Sequence, residues 1–189
     1  MAYVNFKEVG DYYVDTFGGS DTNPGTATAP FFRITKAIDS VGTSSGKTIV
    51  IGGGGLIQED CTKLSSGTAR SSSNSNAITF VFDGYAVTDC SQTVYFKVCG
   101  VTGITDSVSN MQWLNGSSKV IAANYVIGTL RNCMLHNITL QATITAASYA
   151  AYNSVFTGCS AGGGGSITIT AENCVFYKNG SILKYIAKN

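Results

Sequence analysis

The chain has 189 residues, enough for one domain with its own core. Only 12% of the residues are charged, and Gly, Ser, Thr and Asn are abundant beside Val, Ile, Tyr and Phe, a composition typical of β-proteins that argues against a helical bundle. The net charge of +1 gives no field that would attract nucleic acid or an anionic membrane surface, so we expect neither partner.

The N-terminal residues 1–11 show no basic stretch followed by an apolar run, and no segment reaches the length of a membrane span. We therefore expect no signal peptide and no membrane insertion. Residues 1–11 mix apolar and charged side chains, and we interpret them as an N-terminal arm or docking strand.

Residues 12–52 contain the first predicted elements. A strand at Tyr12–Asp15 is followed by a loop rich in Gly, Thr and Pro, a short helix around Ile34–Val41 and a β-branched strand at Thr48–Ile51. We expect the remaining residues, 53–189, to form the body of the fold.

The segment from Gly42 to Thr48 ends like a phosphate-binding loop. Its helix precedes the loop instead of following it, and Val41 stands where the first glycine is required. The segment is therefore interpreted as a turn that leads into a strand, and no nucleotide cofactor is expected.

Short motifs in residues 12–52 point to a known fold. They are Tyr13-Val14-Asp15, Gly19-Ser20-Asp21, Asn23-Pro24-Gly25-Thr26, Pro30-Phe31, Ile34, Lys36-Ala37-Ile38-Asp39 and Thr48-Ile49-Val50-Ile51. This pattern resembles the opening segment of pectate-lyase-like right-handed parallel β-helix proteins. The resemblance implies that the helix caps the N-terminal end of a solenoid and that the next strand begins its first coil. A cap makes physical sense because an open end would expose apolar surface and unpaired strand edges.

An internal repeat supports the same fold independently. Tetrads that begin at Asn110, Asn132, Asn153 and Asn173 follow one another at intervals of 22, 21 and 20 residues. This period suits one coil of a parallel β-helix of about 20–22 residues. Leucine-rich repeats share the period, but their signature is absent and the segments between tetrads alternate like strands. The Asn residues are expected either to bond in a ladder or to occupy left-handed corners between strands.

Side chains alternate between the two faces of a strand, so the second and fourth tetrad positions share one face. We expect this set to line the core: Met111, Trp113, Cys133, Leu135, Ser154, Phe156, Cys174 and Phe176. The third positions then point outward, and Met134, Val155 and Val175 are apolar there. An outward apolar column predicts self-association, most simply as a homotrimer about the long axis. The alternative is a partly exposed strip under a loop.

Six cysteines and one histidine are present, without any Cys-x-x-Cys pair. We therefore expect buried free thiols and no metal site. His136 is interpreted as a solvated or hydrogen-bonded side chain.

Catalysis on polysaccharides, which many pectate-lyase-like proteins perform, needs two carboxylates that face one substrate. Asp83 and Asp106 lie 23 residues apart, close to one repeat, and are the pair that could stack as surface neighbours. The chain offers few other acids, and no residue-by-residue match to the catalytic motifs of those enzymes is present.

Two functions follow from the sequence. The first is a non-catalytic structural or adhesion protein, in its concrete form a bacteriophage virion component such as a tail or head fibre or spike. It would attach to other virion proteins through the N-terminal arm and could bind a cell-surface glycan. The second is a polysaccharide lyase or glycoside hydrolase. The shortage of acids favours the first.

Overall fold

A computed structural model describes residues 5–52, 55–71, 73–92, 96, 104, 106–114, 127–141, 147–162, 167–180 and 183–187. The helix in these residues is α1 (Ile34–Val41). The strands are β1 (Tyr12–Asp15), β2 (Lys47–Gly52), β3 (Gly55–Leu56), β4 (Ile78–Asp89), β5 (Asp106–Leu114), β6 (Ile127–Arg131), β7 (Met134–His136), β8 (Thr139–Gln141), β9 (Ala147–Tyr152), β10 (Val155–Thr157), β11 (Ser160–Gly162), β12 (Ile167–Glu172), β13 (Val175–Tyr177) and β14 (Leu183–Ala187).

All pairings between these strands are parallel. A 12-stranded sheet runs in the order β1-β2-β4-β5-β6-β9-β12-β14, and the short strands β7, β10 and β13 continue from β5 as a second line. Strand β3 pairs with β4, and β8 and β11 form a separate pair. The prediction of an all-β chain with parallel strands and one short helix is confirmed for the described residues.

The two lines of strands meet at a corner formed by asparagines. Residues before Asn110 pair with β6 and residues after it pair with β7. Asn110, Asn132, Asn153 and Asn173 have φ angles of 63°, 51°, 49° and 52°, the left-handed region that Asn tolerates better than most residues. The amide of Asn132 also donates to Oδ1 of Asn110 over 3.1 Å. Both expected roles of these asparagines are therefore observed, the ladder bond at one step.

The fourth tetrad positions stack in register inside the fold. Trp113 pairs with Leu135, Leu135 with Phe156, and Phe156 with Phe176. The rings of Phe156 and Phe176 are parallel, with centroids 4.9 Å apart. The first three of these side chains are fully buried, and Phe176 is partly buried at the end of the stack.

The second tetrad positions form a neighbouring stack. Met111, Cys133 and Ser154 are buried, and Cys174 is half-buried. The Ser154 hydroxyl accepts the Cys133 backbone N–H over 3.1 Å and donates to the Tyr152 carbonyl over 2.8 Å. Both hydrogen bonds compensate the burial of a polar group in this core position.

Helix α1 packs against β1 and β2. Its buried apolar residues are Ile34, Ala37, Ile38 and Val41, which recur at the spacing of one helix face. No helix in the described part of the chain is long and apolar enough to span a membrane.

The described part of the N-terminal arm, residues 5–11, contacts the rest of the chain. The Lys7 backbone N–H donates to the Asp83 carboxylate over 2.6 Å, and the Asp11 N–H donates to the Thr48 carbonyl over 2.9 Å. Phe6 packs edge-on against Tyr13. This part of the arm is therefore docked on its own β-strands.

Candidate functional site

Asp106 lies in the core, where its side chain and that of Arg70 are both 0% exposed. Its carboxylate accepts two hydrogen bonds from the Arg70 guanidinium, over 2.9 and 3.1 Å, and a third from the Ile78 N–H over 2.9 Å. The arrangement is a bidentate pair that satisfies the buried charge of each partner.

The predicted surface pair of Asp83 and Asp106 is therefore wrong for this structure. The strand register places Thr79 opposite Ser107, one residue after Asp106, and it shifts between Val81 and Ala86. Asp83 lies in that interruption and accepts a hydrogen bond from the arm, as described above. A carboxylate with no exposure cannot meet a polysaccharide in solution.

Arg70 was not found from the sequence. Its remaining hydrogen bonds go to the Cys61 carbonyl, the Asn76 carbonyl and the Ser75 hydroxyl, over 3.0, 2.8 and 2.9 Å. These groups all belong to the irregular segment between β3 and β4. Arg70 therefore ties this segment to the core, and no periodic pattern in the segment announces that role.

Glu59 caps helix α1 from a distance. Its two carboxylate oxygens accept the backbone N–H groups of Ile34 and Thr35, over 3.0 and 2.6 Å. The first N–H groups of a helix have no partner within the helix, and a negative charge there also interacts favourably with the helix dipole. Residue Arg33 supplies no side-chain cap, so Glu59 does the work of a local capping residue.

Replacing Glu59 with alanine is expected to lower the free energy of unfolding by about 1–2 kcal/mol, because two N–H groups lose a charged acceptor. Glu59→Gln keeps the shape and one acceptor and is expected to cost less. Urea denaturation followed by far-UV circular dichroism measures both. Glu8→Ala, at an exposed position, is the control; equal midpoints for Glu59→Ala and Glu8→Ala would contradict the capping role.

A cleft of about 500 Å³ lies beside this cap. It is lined by Thr16, Phe32, Arg33, Thr35, Leu56, Ile57, Gln58 and Glu59. Its lining contains a single carboxylate, and that carboxylate is the one bound to α1. The cleft therefore does not present two carboxylates for glycoside hydrolysis.

Other acids also have local structural roles. Asp60 accepts from the Thr62 backbone N–H, and Asp89 accepts from the Ser91 N–H over 3.0 Å. Asp39 accepts from the backbone and hydroxyl of Ser65. These contacts fix turns and tie the segment after β3 to α1.

Three buried cysteines have thiols that resist ionisation. Burial raises the pKa of Cys133 to about 11 and also raises the pKa of Cys159 and, more strongly, of Cys61. Thiols of this kind are poor nucleophiles. Among the described residues, no group of three or more His, Cys, Asp and Glu side chains could hold a metal ion. Cys99 lies outside the described residues.

His136 makes two side-chain contacts on the surface. Its Nδ1 lies 2.6 Å from the Thr157 hydroxyl, and its Nε2 lies 3.0 Å from the Asn137 amide nitrogen. An amide nitrogen can only donate, so Nε2 accepts and Nδ1 carries the proton. This side chain is held in one orientation by its neighbours.

The outward side chains of the second line of strands form two neighbouring columns, which we call the outer face. Strand register sets the first column as Leu56, Val87, Gln112, Met134, Val155 and Val175. The second column contains Asp89, Leu114, His136, Thr157 and Tyr177. The first column carries no charge, and its end members Leu56 and Val175 are 62% and 55% exposed.

Sequence reasoning found part of the outer face. Met134, Val155 and Val175 occupy the predicted outward positions, the first two half-buried. Leu56 and Val87 were missed because they precede the first Asn-led tetrad. The signal that identifies them is strand pairing, which aligns Leu56 with Val87 and Val87 with Gln112.

No protein-family model matches the chain, and no curated protein matches it either. A solved structure of a rhamnogalacturonan lyase is similar to it, with a TM-score of 0.34 and 15% sequence identity. The likeness covers 94% of this chain and 62% of that chain, so this protein spans less than two thirds of the lyase's length. A similarity of this size assigns neither a family nor an activity.

Proposed function

We propose that the protein is a non-catalytic structural protein, a right-handed parallel β-helix that assembles with copies of itself through the outer face. The observation that carries this proposal is the uncharged first column, which extends over six strand layers. A continuous exposed apolar strip is typical of a surface that another molecule covers.

The β-helix is supported by the spacing of paired residues. Gln112, Met134, Val155 and Val175 pair in succession at offsets of 22, 21 and 20 residues. Parallel pairing at an almost constant offset is the expected geometry of stacked coils, and right-handedness follows the general preference for parallel crossover connections.

The absence of catalysis is supported by the structural roles of the acids. Asp106 neutralises Arg70 in the core, and Glu59 caps α1. A carboxylate that acts as a general acid or nucleophile must reach the glycosidic bond. Asp83, which is half-buried, remains the member of the predicted pair with access to solvent.

The concrete role that we propose is a component of a bacteriophage particle, as a tail or head fibre or spike. This rests on the recurrence of β-helices in such fibres and on the features of the sequence given above. Other virion proteins are the proposed partners of the N-terminal arm, whose residues 1–4 lie outside the described residues. A cell-surface glycan is a further proposed ligand.

Inserting a charge into the first column tests the assembly. Val155→Asp is expected to weaken self-association by at least about tenfold, because a desolvated carboxylate would face apolar side chains. Sedimentation velocity over a range of concentrations measures the mass. Thr168→Asp, a matched outward position on β12, is the control and should leave the mass unchanged.

An enzymatic role is tested separately by incubating the protein with capsular and pectic polysaccharides and measuring chain length and unsaturated ends. No turnover is expected. Turnover that Asp83→Ala abolishes would overturn the structural proposal; Asp106→Ala is unsuitable here because it removes a core ion pair.

A further inference from the structure

The two columns of the outer face have a defined distribution of charge. Asp89 stands in the second column at the layer of β4, and its carboxylate accepts from Ser91 and Gln92. Lys178 directly follows Tyr177, at the layer of β13, and its Nζ lies 5.2 Å from the centroid of the Tyr177 ring. A negative charge is thus near one end of the face and a positive charge near the other.

Four strand layers separate these two charges. The layers are those of β4, β5, β7, β10 and β13, which pair in this order. At about 4.8 Å for each step, Asp89 and Lys178 lie about 19 Å apart along the stack. This distance is too long for an ion pair within one molecule, and screening at physiological salt reduces the interaction further.

We propose that the outer face binds a second copy of this chain with the two stacks antiparallel, so that Asp89 of each copy meets Lys178 of the other. The proposal rests on the self-association proposed above and specifies its geometry. A two-fold axis along the strand direction, at the layer of β7, produces this arrangement. Both ion pairs then form at once, since a two-fold interface is self-complementary.

The same axis matches the remaining side chains. Met134 faces its own copy at the centre, Gln112 faces Val155, and Val87 faces Val175. The apolar first columns therefore bury each other. Asp89 keeps its hydrogen bonds to Ser91 and Gln92 and gains an opposite charge.

Parallel stacks, including the homotrimer expected from the sequence, do not provide this match. In a parallel arrangement each layer faces the same layer of its neighbour, so Asp89 and Lys178 of adjacent copies remain about 19 Å apart. Each charge is then placed beside apolar side chains without a new partner, which costs free energy. Charge complementarity therefore favours the antiparallel pair.

Charge reversal tests the pairing. Asp89→Lys is expected to raise the dissociation constant of the dimer about tenfold, because two attractive contacts become repulsive. Lys178→Asp should do the same, and Asp also tolerates the φ of 51° at this position. The double variant Asp89→Lys/Lys178→Asp should restore wild-type association. Glu172→Lys, an exposed position outside the outer face, is the control for net charge.

Cysteine cross-linking tests the direction of the stacks. A mixture of Val87→Cys chains and Val175→Cys chains should form a disulfide between the two kinds of chain, because these positions face each other in the antiparallel pair. In parallel stacks they are about 19 Å apart, beyond the reach of a disulfide. Val87→Cys alone, Val175→Cys alone and the unmodified chain are the controls.

The outcomes separate the two proposals. A dimer with rescue by the double reversal and the mixed cross-link supports the antiparallel pair. A trimer, or cross-links of Val87→Cys to itself, would overturn the antiparallel pair and leave the proposed self-assembly in place. A monomer at every concentration would overturn both.

Discussion

Replacing Arg70 with methionine is expected to lower the free energy of unfolding by about 3–5 kcal/mol. Asp106 would remain fully buried, and its two guanidinium hydrogen bonds would be lost. An uncompensated carboxylate in the core is costly because its hydration is not replaced. The N–H of Ile78 would be the remaining donor of the three described for this carboxylate. Urea denaturation followed by the fluorescence of Trp113, the single tryptophan, measures the change.

Two further variants make this prediction specific. Arg33→Met removes an ion pair with Asp21 at the surface, where the Arg33 side chain is 49% exposed, and should cost no more than about 1 kcal/mol. The double variant Arg70→Met/Asp106→Leu removes both buried charges and should recover most of the loss. A single Arg70→Met variant no less stable than Arg33→Met would contradict the role of the buried pair.

Replacing Trp113 with alanine is expected to destabilise the fold by about 3–5 kcal/mol, the usual range for loss of a large aromatic side chain from a core. Trp113 is fully buried, and its ring centroid lies 6.1 Å from that of Phe96. Its indole N–H also donates to the Phe96 carbonyl over 3.1 Å. The alanine variant would leave a cavity in the stack and an acceptor without its donor.

The measurement for Trp113 requires a signal other than tryptophan fluorescence, so far-UV circular dichroism during urea denaturation is suitable. Trp113→Phe keeps an aromatic ring but loses the N–H, and an intermediate loss is expected. Tyr177→Ala is the control because Tyr177 is 57% exposed at the end of the same sheet. Similar midpoints for Trp113→Ala and Tyr177→Ala would contradict the proposed importance of the stack.

The tetrads show why the repeat could be predicted. Strand side chains alternate with a period of two, and parallel stacking brings equivalent residues together. The interval that separates Trp113, Leu135, Phe156 and Phe176 in the sequence is therefore also the register of their pairing. The positive φ angles of the Asn residues follow from the same position in each repeat.

A second set of left-handed residues was not predicted. Asn137, Gly158 and Lys178 have φ angles of 53°, 61° and 51° at the end of β7, β10 and β13. They repeat at intervals of 21 and 20 residues, but three different residue types occupy the position. A side chain at Gly158 would also collide with the Asn137 amide, since an added Cβ would lie 2.3 Å from its Oδ1. The signal was the spacing, which residue identity concealed.

The carboxylates show where sequence reasoning fails. The 23-residue interval between Asp83 and Asp106 resembles one repeat, but the irregularity between Val81 and Ala86 removes Asp83 from the expected register. Sequence spacing predicts stacking only where the coil is regular. A register shift in a strand changes which side chains are neighbours, and no local pattern revealed it.

The sequence by itself determined the β-class, the short helix, the repeat length and which side of each late strand is apolar, because these depend on local propensity and periodicity. Tertiary structure alone decided that Arg70 neutralises Asp106, that Glu59 caps α1 and that Leu56 and Val87 extend the outer column. Each of these contacts joins residues from irregular or distant segments. Their proximity depends on the path of the whole chain, which local periodicity does not encode.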